Sequence, residues 1–193
     1  MSAVRRLALV ASALLLLAAC GVTEPRPDGE PPAADVAWLA EHGLDGLGGK
    51  AVVDRLDAMP VRDRPDDLMA SVRSHDVLLT DDDGREATLP LPQDAFYLSV
   101  APYVSSTHPC ELHSLTTCRG ELAGQEVSVL VTDAEGATVL ATTTRTFDNG
   151  FVGLWLPRDL KGTIRIERDG AVGSAELTTG EGDPTCLTAV HLT

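Results

Sequence analysis

The chain has 193 residues, of which 15 are basic and 29 acidic, with a formal net charge of −14 at pH 7. This charge argues against a nucleic-acid partner and against binding to an anionic lipid surface, because both would repel the protein. With 2 Trp, 2 Tyr and 3 Phe there is no evident aromatic platform for stacking bases or sugars, and 4 Cys are too few for a disulfide-dense scaffold.

The first twenty residues are typical of an export signal. Arg5 and Arg6 precede an apolar run over 7–19, which is too short to span a membrane stably. The run ends in Leu-Ala-Ala-Cys and resembles the lipobox of a bacterial lipoprotein, in which the signal is cut before the cysteine. We therefore predict a lipoprotein signal peptide over 1–19 and a lipidated Cys20. The lipid would hold the protein on the extracytoplasmic face of the cell membrane.

A small folded region is predicted to follow a flexible tether. Residues 20–34 are rich in Pro, Gly and Glu, as in tethers. We expect an N-terminal domain over 35–93. It should contain two short helices, one capped by Asp35 and stopped by Gly43 and one over 51–59. Its remaining predicted elements are a strand over 68–72 and a hairpin of 77–80 and 87–91 around an Asp-Gly turn.

The second half of the chain has a β-protein pattern. Apolar or Thr-rich runs alternate with turn signals at roughly ten-residue spacing, which is typical of an antiparallel sandwich. The predicted strands are 96–104, 127–132, 138–147, 151–156, 163–167, 171–177 and 187–192. The fold class is therefore α+β: a small N-terminal α/β domain followed by an antiparallel β-sandwich-like C-terminal domain over 94–193.

Three cysteines remain when Cys20 is set aside, and an odd number cannot all pair within one chain. Cys110 and Cys118 share one predicted loop with His108 and His113, and Cys186 stands at the start of the last predicted strand. Thiolate and imidazole are donors that soft metal ions such as Cu(I) accept. These five residues are therefore the candidate metal ligands.

The residues alone leave three interpretations of the cysteines open. The first is a metal site. The second is a lipoprotein interaction module stapled by a structural Cys110–Cys118 disulfide, with one spare thiol, because extracellular cysteines usually form such bonds. The third is a thiol oxidoreductase, which needs an exposed thiolate of low pKa. A disulfide and a metal site also compete for the same sulfurs, so a site that binds metal only when reduced is a natural combination.

Several segments of the chain closely resemble the CueP family of periplasmic copper-binding proteins. They include every segment that carries one of the three cysteines, and a weaker likeness extends upstream to residue 43. The segments are 96–104, 107–110, 113–118, 120–121, 149–158 and 184–188.

The resemblance implies an envelope protein for copper resistance and homeostasis that takes up copper at its cysteines, and whether it is a binding protein or also acts as a cupric reductase stays open. It implies that Cys118 and Cys186 chiefly handle copper, as Cu(I) or Cu(II), with Cys110 accompanying them and with His108 and His113 as weaker candidates. It also implies thiol-based reduction of Cu(II) to Cu(I), an external thiol–disulfide reductant and a homodimer through the N-terminal domain. The lipobox departs from the family pattern and favours copper scavenging near the membrane surface.

Overall fold

Strands in three sheets form most of the regular secondary structure of the computed structural model, which describes residues 36–193. The predicted signal peptide, the tether and Cys20 lie outside the described residues. Helix α1 spans Gly49–Asp57, and 3-10 helices span Ala37–His42 and Val61–Asp63. The strands are β1 (Leu68–Val72), β2 (Asp76–Asp81), β3 (Glu86–Pro90), β4 (Ala95–Val100), β5 (Glu126–Asp133), β6 (Thr138–Arg145), β7 (Val152–Pro157), β8 (Lys161–Arg168), β9 (Ala171–Thr178) and β10 (Cys186–Leu187). Among the described residues, no helix is long and apolar enough to cross a lipid bilayer.

The first part of the fold is a small sheet covered by α1. Strands β1, β2 and β3 pair antiparallel in that order, which confirms the predicted strand and hairpin. The predicted second helix begins two residues earlier, at Gly49, where a side chain would not fit because a Cβ would lie 2.4 Å from the carbonyl oxygen of Pro90. The predicted first helix is a 3-10 helix that ends at Gly43, whose φ of 65° is the left-handed conformation that glycine favours.

The second part of the fold consists of two facing sheets. Strands β6-β5-β8-β9 form one sheet, and β10-β4-β7 form the other. Side chains from both sheets fill a common core, as expected for a sandwich. Two predictions were wrong in detail. The strand predicted over 96–104 ends at Val100, shortly before Pro102, and the strand predicted over 187–192 is reduced to Cys186–Leu187, which pairs with β4 in parallel rather than antiparallel fashion.

Strand β4 is buried on both faces and lies between two hydrophobic cores. Phe96, Leu98 and Val100 point into the sandwich core. Tyr97 belongs to the core formed by α1 and the first sheet, and Leu115 from a later loop joins it there. Residues after 94 therefore contribute to the core of the first sheet. The domain boundary between residues 93 and 94 stays a prediction. The arrangement places one face of β4, with Ser99 and Tyr97, opposite α1.

Candidate metal centre

The loop between β4 and β5 carries two of the candidate cysteines, and backbone hydrogen bonds hold it beside the third. The N–H groups of Thr185 and Cys186 both donate to the carbonyl oxygen of Glu111, at 2.9 and 3.2 Å. Cys186 begins β10, where it pairs with Ser99 of β4. The residue after Cys110 is therefore fixed next to the backbone of Cys186, although the two cysteines are 76 positions apart in sequence.

The three sulfur atoms form one cluster. Cys110 and Cys186 are joined by a disulfide, with Cα atoms 5.6 Å apart, and Cys118 is a free thiol. The Sγ atoms of Cys110 and Cys118 are 3.8 Å apart, and all three sulfurs lie within 4.8 Å of one another. The Cys110–Cys118 disulfide considered from the sequence is therefore wrong. The short loop between these residues favoured that pairing, but the contact of Glu111 with β10 brings Cys186 to Cys110 instead.

His113 belongs to the same loop between β4 and β5 and is completely buried. Its ring packs against Phe151, with centroids 4.7 Å apart, and its Nε2 donates a hydrogen bond to Oδ1 of Asp57 at 3.0 Å. Its Nδ1 is buried without a hydrogen-bond partner of normal geometry in the described part of the chain. Burial lowers the pKa of His113, but hydrogen bonding and charge interaction with Asp57 and Cys118 outweigh burial and raise this pKa to about 9.

Cys118 lies in a polar environment that favours its thiolate. The backbone N–H of Ser114 donates to Sγ of Cys118 at 3.3 Å. Burial raises the pKa of Cys118, but the hydrogen bond and positive charge of His113, together with the Ser114 N–H, lower this pKa overall. A thiolate is both the nucleophilic form and the metal-binding form of cysteine.

His108 occupies a different place from His113. It is exposed, and its ring nitrogens contact backbone carbonyl oxygens, Nδ1 that of Pro109 at 3.1 Å and Nε2 that of Arg119 at 2.8 Å. These hydrogen bonds raise the pKa of His108. The set of described donor atoms that lie within 4.8 Å of one another contains the three sulfurs and neither of these histidines. Both histidines therefore remain weaker ligand candidates, and His113 lowers the pKa of Cys118 more than His108 does.

Sequence reasoning missed Asp57, a fully buried carboxylate at the end of α1. Its oxygens accept hydrogen bonds from side chains of four residues in the second half of the chain, and Arg64 Nη2 lies 3.6 Å away. The four donors are Tyr97, Ser99, His113 and Asn149. The buried positions of α1 are 49, 52, 53, 56 and 57. An acidic residue on the core-facing side of an amphipathic helix was the signal available in the sequence.

Comparison with known proteins identifies the family of the chain. Residues 51–191 match the family model described as periplasmic copper-binding protein CueP. The chain is also similar to the crystal structure of S.CueP, with 39% identity and a TM-score of 0.77, over 84% of this chain and 99% of that one. A comparison with curated proteins found no match. On the length of the family match and the identity to the solved structure, the chain belongs to the CueP family of periplasmic copper-binding proteins.

Proposed function

We propose that this protein binds Cu(I) in the cell envelope through the thiolates of Cys110, Cys118 and Cys186, and that this binding serves copper homeostasis and resistance. The observation that carries the proposal is the approach of all three sulfurs to within 4.8 Å of one another. Cu(I) is a soft ion that prefers thiolate ligands, and a cluster of sulfurs at this separation offers it two or three of them. Membership of a copper-binding family supports the choice of metal.

The same sulfurs account for a redox-dependent site. Cys110 and Cys186 are ligands only as thiolates, and their disulfide withdraws both of them from copper. Cys118 keeps its thiol in either state. We infer that the reduced protein is the copper-binding form and that the disulfide form releases the ion.

Reduction of Cu(II) follows from the same chemistry. Two Cu(II) ions each accept one electron, the thiolates of Cys110 and Cys186 supply the two electrons, and their sulfurs join in the disulfide. The Cu(I) ions formed then leave the site, because Cys118 is the single thiolate that the cluster keeps in the disulfide form. A second round requires a thiol reductant that breaks the Cys110–Cys186 bond by thiol–disulfide exchange. Without that reductant the reaction is stoichiometric, so we describe the protein as a binding protein.

The setting of this chemistry is proposed from the sequence. A lipid on Cys20 would hold the protein on the outer side of the membrane, where it scavenges copper close to the surface. A homodimer through residues 35–93 and an external thiol–disulfide reductant likewise stay predictions. The acidic charge of the chain suits a cationic ligand.

The test is a competition titration of the reduced protein with Cu(I) and a soft-metal chelator. The wild-type protein is expected to retain near-stoichiometric Cu(I), and the Cys118→Ser and Cys186→Ser variants are expected to lose it to the chelator. His75→Gln is a matched control, because His75 is exposed and lies outside the thiol cluster. Unchanged affinity in both serine variants would show that the thiols are not the copper site.

A thiol oxidoreductase is the second candidate function, because Cys118 has a lowered pKa and lies 3.8 Å from the Cys110 sulfur of the disulfide. Such an enzyme would reduce a model protein disulfide repeatedly with glutathione as the electron source, and Cys118→Ser would abolish turnover. Absence of turnover in the copper-free wild-type protein would exclude this activity and leave copper binding as the function of the cluster.

A further inference from the structure

The buried carboxylate of Asp57 connects α1 to the thiol cluster. Its Oδ1 accepts from Nδ2 of Asn149 at 2.9 Å and from Nε2 of His113 at 3.0 Å. Its Oδ2 accepts from the hydroxyl groups of Tyr97 and Ser99. Two hydrogen bonds on each oxygen fix the position of the carboxylate, as a buried charge requires.

This carboxylate determines how the ring of His113 is placed. The imidazole is enclosed, with Phe151 against its face and Asp57 at Nε2. Because Nε2 is taken by Asp57, Nδ1 is the ring nitrogen left to interact with the thiol of Cys118. Nδ1 is buried and has no hydrogen-bond partner of normal geometry among residues 36–193. A buried polar atom without such a partner, near the thiol of Cys118, is suited to bind a ligand.

We propose that Asp57 is a positioning residue that holds His113 with its proton on Nε2, so that Nδ1 serves as a nitrogen donor to copper held by the thiolates. The inference rests on the proposed copper-binding function and adds to it a residue from the other part of the fold. A carboxylate that accepts the second ring N–H is the common way in which proteins orient a metal-binding histidine. When Cu(I) binds Nδ1, any proton on that nitrogen is released to solvent.

Nitrogen NMR of the wild-type protein tests the placement directly. The protein is labelled with 15N in its histidine rings, reduced, and measured before and after one equivalent of Cu(I). The Nδ1 resonance of His113 is expected to shift on adding Cu(I), Nε2 is expected to remain protonated, and the rings of His42 and His75 are expected not to respond. A shift at Nε2 instead, or no shift at either nitrogen of His113, overturns the proposal.

The Asp57→Asn variant tests the role of the carboxylate. The carboxamide has the same size, but its NH2 group needs an acceptor, and Nε2 of His113 becomes one when its proton moves to Nδ1. The expected results are a His113 ring protonated on Nδ1 and a loss of Cu(I) affinity of about 10–100-fold, the usual effect of removing such a partner.

Tyr97→Phe is the matched control, because it removes another hydrogen bond to the same carboxylate and leaves the His113 contact in place. This variant should keep the wild-type ring protonation and Cu(I) affinity. Equal losses in Asp57→Asn and Tyr97→Phe, or no loss in either, contradict a positioning role. If Asp57→Asn does not fold, the NMR result on the wild-type protein decides.

The outcomes also separate this inference from the function on which it rests. A reduced wild-type protein that cannot hold Cu(I) against the chelator overturns both proposals. A protein that holds Cu(I) through its thiolates while the His113 resonances stay unchanged overturns this inference alone.

Discussion

Cys186 and Cys118 belong to the same cluster of sulfurs, yet they lie in different surroundings. Cys186 is 3% exposed and packs with Ala101 and Phe151, and its sulfur is bonded to Cys110. Cys118 is a free thiol whose Sγ accepts a hydrogen bond from the Ser114 N–H and which lies near the ring of His113. An apolar environment disfavours a thiolate, whereas hydrogen-bond donors and a nearby positive charge favour it.

The difference indicates that the three cysteines have different roles in one site. The Cys110–Cys186 pair, of which Cys186 has apolar surroundings, is suited to change between dithiol and disulfide, because the disulfide is neutral and needs no hydrogen-bond donors. The cysteine in polar surroundings is suited to remain a thiolate throughout. The predictions below alter first the polar network around His113 and Cys118, called the polar side, then the Cys110–Cys186 disulfide, called the apolar side, and last the reactivity of Cys118.

The largest effect on stability is expected from Asp57→Ala, which removes the carboxylate bonded to His113 on the polar side. The change leaves the side chains of Arg64 and His113 buried without their carboxylate, and breaking a buried ion pair in this way costs about 3–5 kcal/mol of unfolding free energy. Urea denaturation measures the loss. Asp54→Ala on the exposed side of α1 is the control and should cost at most about 1 kcal/mol, because its ion pair with Lys50 and the hydrogen bond that it accepts from Trp155 Nε1 are both exposed. Similar losses in both variants would mean that the buried network does not stabilise the fold.

The apolar side is tested by opening the disulfide. Reduction of Cys110–Cys186 frees a loop with a sequence separation of 76 and is expected to lower the unfolding free energy by about 2–4 kcal/mol. The measurement is urea denaturation of the wild-type protein with and without a phosphine reductant. A variant with Cys110→Ala and Cys186→Ala should not respond to the reductant. An equal response in that variant would assign the effect to something other than this bond.

The smallest expected effect is on the reactivity of Cys118. The thiolate is the reactive form, so a pKa lowered by His113 keeps alkylation by iodoacetamide fast to lower pH. His113→Gln should raise the pKa of Cys118 and move the midpoint of the rate–pH profile upward, with about a tenfold slower reaction at pH 6 for each unit of change. Peptide mass spectrometry identifies the alkylated cysteine.

His108→Gln is the control for this experiment, because His108 is exposed and acts on Cys118 only through its charge. It should change the profile less than His113→Gln does. A profile that is the same for wild-type protein and His113→Gln would contradict the account of the polar side.

Local patterns in the sequence predicted most of the regular elements. The Asp-Gly turn between two apolar runs gave the hairpin of β2 and β3, and alternating runs gave the sandwich strands. The end of the chain could not be predicted in this way. The apolar residues after Leu187 looked like a strand, but β10 is limited to two residues because its neighbour β4 ends at Val100. Which strand lies next to β10, and in which direction, depends on tertiary structure.

In the site, too, local sequence motifs predicted some features, and others depend on contacts between distant residues. The cysteine motifs and the family resemblance named the three sulfurs, and the structure brings them together. The disulfide partner of Cys110 and the role of Asp57 depend on contacts between distant parts of the chain. Asp57 is 56 positions from His113, and no local pattern links the two residues.

The central claim is that one cluster of sulfurs binds copper when reduced and loses it when Cys110 and Cys186 join. The most direct test is a Cu(I) titration of two samples of wild-type protein, one fully reduced and one with the Cys110–Cys186 disulfide confirmed by mass spectrometry, against the same chelator. The account predicts that the reduced sample retains Cu(I) and that the oxidised sample yields it to the chelator. Equal retention of Cu(I) by both samples would contradict the account.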